Sequence, residues 1–65
     1  MATPNERAVN EYERGLQAVD AGRTEEALAI FKHAAEIDPT FLMAQVGIAT
    51  AYLDLQQVDQ ALQLL

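Results

Sequence analysis

His33 is the only histidine of the chain, and Glu36 follows it by three positions, which puts both side chains on one helical face. Such a pair could begin a metal site. Zinc, however, takes three or four ligands, usually with cysteine or several histidines, and the chain has no cysteine. An exposed histidine on a polar face is the reading that the spacing supports. Glu11 lies four residues after Arg7 and three before Arg14, the separations of surface helix pairs. A catalytic pair of carboxylates would need a pocket that holds their pKa values apart. Serine and cysteine are both missing, so the common nucleophiles are too. Gly15, Gly22 and Gly47 do not form a phosphate-cradling loop. The inventory is that of a protein which is not an enzyme and uses neither cofactor nor metal.

The elements that would position these residues must fit in 65 residues, one domain at most, with a core that is marginal in size. Apolar residues make up 51% of the chain, which argues against disorder. Many are alanine, a helix former. The net charge is −6, unfavourable for nucleic acid, where Lys and Arg contacts to phosphate dominate affinity. All four basic residues (Arg7, Arg14, Arg23 and Lys32) come early, and only Glu36, Asp38, Asp54 and Asp59 carry charge beyond them. No apolar run approaches the roughly 20 residues of a membrane span, so no membrane insertion is expected. The segment from Met1 to Arg7 lacks the apolar middle of a secretory signal, so a cytoplasmic location is expected.

The pattern predicts helices throughout. Thr3-Pro4-Asn5-Glu6 reads as a start, with Thr3 as cap, Pro4 in the first turn and Glu6 closing a capping box. This helix should run to about Ala21 and end at Gly22. Thr24 is the expected N-cap of a second helix reaching Ile37, whose apolar stripe is Ala27, Phe31 and Ala34, flanked by Ile30 and Ile37. Asp38-Pro39 stops it. A third helix is expected from about Thr40, with Asp38 as cap, carrying Phe41, Leu42, Ala44, Ile48, Ala51, Tyr52 and Leu55 as its apolar residues. A fourth segment, Val58 to Leu65, places Ala61, Leu62 and Leu65 on one face. No strand pattern or hairpin turn competes.

The chain also resembles itself at an offset of 34 residues. Gly15 falls on Ala49, Ala18 on Tyr52, Val19 on Leu53, Glu25 on Asp59, Ala27 on Ala61, Leu28 on Leu62 and Phe31 on Leu65. A helical pair repeated at a fixed step cannot bury its apolar face alone, and a second pair covers it. In these marks the chain resembles the tetratricopeptide (TPR) repeat family. Gly15, Gly22, Ala27-x-x-x-Phe31, Ala34 and Asp38-Pro39 match in a first unit, and Ile48-Ala49-x-x-Tyr52 and Ala61-x-x-x-Leu65 in a second. The first unit has Glu11, Arg14 and Ala18 where the family prefers Trp, Leu and Tyr, so its first helix should pack less tightly on the second.

The resemblance implies an all-α fold of antiparallel helix–turn–helix repeats, a fragment of a right-handed superhelix with three full helices and a partial fourth. The single domain would span 1–65, with one repeat over about 8–41 and a truncated one over about 42–65. Arrays of this kind need about three repeats and a polar cap, so a piece of a longer repeat protein is expected. The resemblance also implies a scaffold or adaptor that takes a peptide or helix in a concave groove. Carried onto this chain, the groove is Val9, Tyr12, Leu16, Val19 and Asp20, then Met43, Val46, Thr50, Leu53 and Asp54. Where a subgroup of the family grips a terminal carboxylate with Lys, Arg and Asn, this chain has Tyr12, Leu16, Met43, Val46 and Thr50. The expected partner is therefore apolar, with basic flanks to meet Asp20 and Asp54. The competing reading of Tyr12, Leu16 and Met43 is that they pack the first helices of the two units together. The alternative function is self-association into a homo-oligomer through Leu55, Val58, Leu62, Leu64 and Leu65. Gln56 replaces the turn glycine of the second unit, so a further expectation is one fused helix over about 40–65, swapped onto another chain.

Overall fold

The computed structural model describes residues 3–55 and Gln63. Three helices occupy them: α1 (Glu6–Asp20), α2 (Thr24–Ile37) and α3 (Leu42–Asp54). Short turns make successive helices antiparallel neighbours. α2 packs on both α1 and α3, while α1 and α3 touch less extensively.

The α1–α2 turn forms as its glycine demands. Gly22 has φ +78°, the Gly22 N–H donates to Val19 O at 2.9 Å, and the Arg23 N–H donates to Ala18 O at 2.8 Å. These two bonds are the Schellman closure, which satisfies carbonyls left over at a helix end. α2 ends at Ile37 because Asp38 is forced into extended backbone (φ −141°, ψ 92°) by the proline that follows it.

Three caps differ from the sequence reading. α1 is capped by Asn5, whose Oδ1 accepts the Arg7 N–H at 2.8 Å, so neither Thr3 nor a capping box serves it. Thr24 is the first residue of α2 and not its cap; Arg23 holds that position and no side chain caps the helix. α3 starts at Leu42, with Phe41 at the N-cap, because Asp38 is engaged elsewhere. Its Oδ1 accepts the Thr40 N–H and hydroxyl at 3.1 and 2.6 Å, and its Oδ2 accepts the Asn5 N–H at 2.9 Å. Two of these bonds build a local Asx turn. The third ties the start of α1 to the α2–α3 turn.

The core is made of small residues around one large one. Ala8, Ala18, Ala27, Ala34, Ala44, Ala49 and Ala51 are buried with Ile48, and Phe31 is the largest fully buried side chain. The Phe31 ring lies against two glycines, one on each neighbouring helix. A Cβ on Gly15 of α1 would overlap the ring, and one on Gly47 of α3 would stand 2.9 Å from Cδ1. The pairing of α1 with α2 is the most extensive of the three. Ala18, small as it is, is buried in it, and Glu11 reaches across to His33.

α3 ends at Asp54 and Leu55 stands in a turn, so one unbroken helix through Leu55 does not form. Gln56, Gln57 and, apart from Gln63, the fourth segment over 58–65 lie outside the described residues.

Candidate protein-docking face

α3 is apolar on two sides. Small residues face α2: Ala44, Gly47 and Ala51 are buried with Ile48. On the opposite side Met43, Val46, Thr50 and Leu53 recur at spacings of three and four, which aligns them in one stripe. Met43, Val46 and Leu53 are 47%, 46% and 49% exposed. Leu42 is 73% exposed and extends the stripe. The sequence pattern had given Leu42 only as one of the apolar residues of this helix and had not placed it among the groove residues. The Thr50 hydroxyl is turned inward, donating to Val46 O at 2.9 Å, so it adds little polarity to the row. Scattered apolar side chains are ordinary on a surface, whereas a contiguous row is a candidate for an interaction site.

α1 contributes less than the groove reading expected. Tyr12 is half-buried, its ring 5.5 Å from both Phe31 and Phe41 between centroids, tilted to one and edge-on to the other. Its aromatic surface is therefore spent in packing. Val19 is half-buried against the same cluster, and Val9 is also half-buried. Leu16 is 42% exposed, one turn beyond Tyr12 on the side of α1 that meets Phe41. Asp20 follows one turn later, exposed, as is Asp54 at the end of α3. Of the groove candidates, then, Leu16, Asp20, Met43, Val46, Thr50, Leu53 and Asp54 are open to solvent. Among the self-association candidates Leu55 is half-buried, and Val58, Leu62, Leu64 and Leu65 lie outside the described residues.

The charges leave this side acidic. Between Leu42 and Leu53 α3 has no charged residue. Three of the four basic residues are engaged elsewhere: Arg14 with Glu11 at 2.6 Å, Arg23 with Glu26 at 2.8 Å, and Lys32 over the Tyr52 ring at 5.3 Å. Glu11 does not pair with Arg7 as its spacing had predicted. One of its oxygens meets Arg14 and the other His33 Nδ1 at 3.2 Å, and these partners, His33 first, hold its carboxyl below the usual range. The His33 contact joins α1 to α2 over 22 residues of sequence, a distance at which no helical periodicity points. Asp38 is likewise held low, by the Thr40 hydroxyl and then the Asn5 N–H. Among the described residues no polar or charged residue is buried, and no three His, Cys, Asp or Glu side chains are placed to hold a metal ion. No helix among them is long and apolar enough to cross a membrane.

A family model described as tetratricopeptide repeat matches residues 18–65. No curated protein and no solved structure matches the chain.

Proposed function

Because the chain belongs to the tetratricopeptide repeat family, whose repeats generally mediate contacts between proteins, we propose that it docks an apolar peptide or helix on the exposed face of α3. The observation that carries this reading is the uncovered row of Leu42, Met43, Val46 and Leu53, with Leu16 on α1. Burying a side chain of this kind yields about 1.5–3 kcal/mol relative to leaving it in water. Asp20 and Asp54 select for basic residues flanking the apolar segment, through attraction at encounter and repulsion of acidic competitors. The role is that of a scaffold surface and not of a catalyst. No titratable side chain among the described residues is fully buried, and burial is one of the means by which a catalytic pKa is set apart.

The test is an NMR titration of the chain with two peptides that share a Leu-rich amphipathic core, one flanked by Lys and Arg, the other by Glu. Expected are shifts at Met43, Val46 and Leu53 for the basic-flanked peptide, weakening as salt rises. Shifts confined to the outer face of α2, around Ala29 and Lys32, would remove the face. Equal binding of both peptides would remove the charge selection.

A further inference from the structure

The stripe on α3 has a symmetry that a groove for a foreign peptide does not require. Met43 and Leu53 lie equally far from Ile48, and so do Val46 and Thr50. The spacing of the row, though not its residue types, is therefore the same in both directions. We propose that α3 pairs with α3 of a second copy, antiparallel, about a two-fold axis at Ile48. In that register Met43 meets Leu53 of the second copy, Val46 meets Thr50 of the second copy, and each contact occurs twice, as an isologous interface demands. The spacing of three, four and three is that of a two-heptad seam.

Net charge opposes this occupant, and the local charge along the seam favours it. The chain as a whole is strongly acidic and self-repelling. Yet the seam from Leu42 to Leu53 is uncharged, and the one acid at its end has a complementary destination. Leu42 and Asp54 are also equidistant from Ile48, so the two-fold axis brings each Asp54 to the first turn of the other α3. That turn has no side-chain cap and no acid of its own. A carboxylate there meets the positive end of the helix dipole. A seam of 13 residues lies at the small end of protein interfaces, so the dimer is weak, with half-association at roughly 100 μM. The consequence for function is self-competition: the dimer covers the docking face and only the monomer presents it. The pairing does not depend on the peptide reading, since the dimer is measured with no peptide present.

The experiment is sedimentation equilibrium of the full chain over roughly 10 μM to 1 mM. Parent chain is expected to pass from monomer to dimer. Val46→Glu buries a charge in the seam and should weaken association by about tenfold or more, whereas Thr50→Leu should tighten it by about tenfold. Both positions are exposed in the monomer, so circular dichroism should show unchanged helicity. Because the natural chain has no cysteine, orientation follows from cross-linking: Val46→Cys mixed with Thr50→Cys should oxidise to the mixed dimer faster than either variant pairs with itself. Three results would overturn the proposal. They are a monomer at every concentration for both parent and Thr50→Leu, a dimer indifferent to Val46→Glu, and faster self-linking of Val46→Cys.

Discussion

The Asp38 carboxylate accepts the backbone N–H of Asn5 at 2.9 Å, across 33 residues of sequence, while its other oxygen holds Thr40. One side chain thus organises the α2–α3 turn and anchors the N-terminus of α1. The hydrogen bonds favour its ionised form and hold its pKa below the ordinary 3.8. Stability from this source is therefore fully present above about pH 4 and is lost as pH falls through the lowered folded value. Asp38→Asn should lower Tm at pH 7. The gap between variant and parent should narrow on acidification below pH 4, which thermal melts across pH would show. Other acids also titrate there and relieve repulsion, so the difference between the two chains is the quantity to follow.

Gly15→Ala tests the Phe31 contact. Alanine is favoured over glycine within a helix by about 1 kcal/mol. Here the added methyl overlaps the Phe31 ring, and overpacking costs about 1–3 kcal/mol. Net destabilisation is expected in urea unfolding. Gly47→Ala, with a Cβ 2.9 Å from the same ring, should also destabilise. Combining either change with Phe31→Leu should cost less than the sum of the two, since each relieves the other.

Gly22→Ala isolates backbone strain. Nothing lies within 4 Å of the added Cβ, but φ is +78°. A loss of about 1 kcal/mol is expected. Gly22→Asn should lose less, because asparagine tolerates the left-handed region. Equal losses in chemical denaturation would mean that the turn tightens on something other than this angle.

Tyr12→Ala separates core from docking face. Tyr12 is half-buried between Phe31 and Phe41. Truncation should cost about 2 kcal/mol, less than a fully buried ring loses, and leave peptide preference unchanged at temperatures where the chain stays folded. A change in preference without loss of stability would return Tyr12 to the docking face.

The helices themselves were legible, because periodicity and punctuation agree in this chain. Ala27, Phe31 and Ala34 lie on the buried side of α2, Gly22 is left-handed, and Asp38-Pro39 ends the helix. The caps were not legible. Thr3 and Asn5 compete for one helix start, and Asp38 could serve α3 or the turn; the Asn5 N–H, distant in sequence, is among the groups that engage it. Which groove candidates stay exposed was legible for α3 but not for α1. A helical wheel places Tyr12 and Leu16 together, yet only tertiary packing tells that one ring is enclosed by Phe31 and Phe41 while the other side chain stays wet. Leu42 went unrecognised because a helix apolar on two sides gives no sign of which side is covered.

One phenyl ring closes the space between three helices, and this sets how small a portable piece of the chain can be. An excised α1–α2 hairpin would keep Gly15 against the ring but leave its Gly47 side open to water. A genetic exchange that moves the hairpin alone would part the ring from Gly47, so a segment that keeps both of its glycine contacts must carry α1, α2 and α3 together.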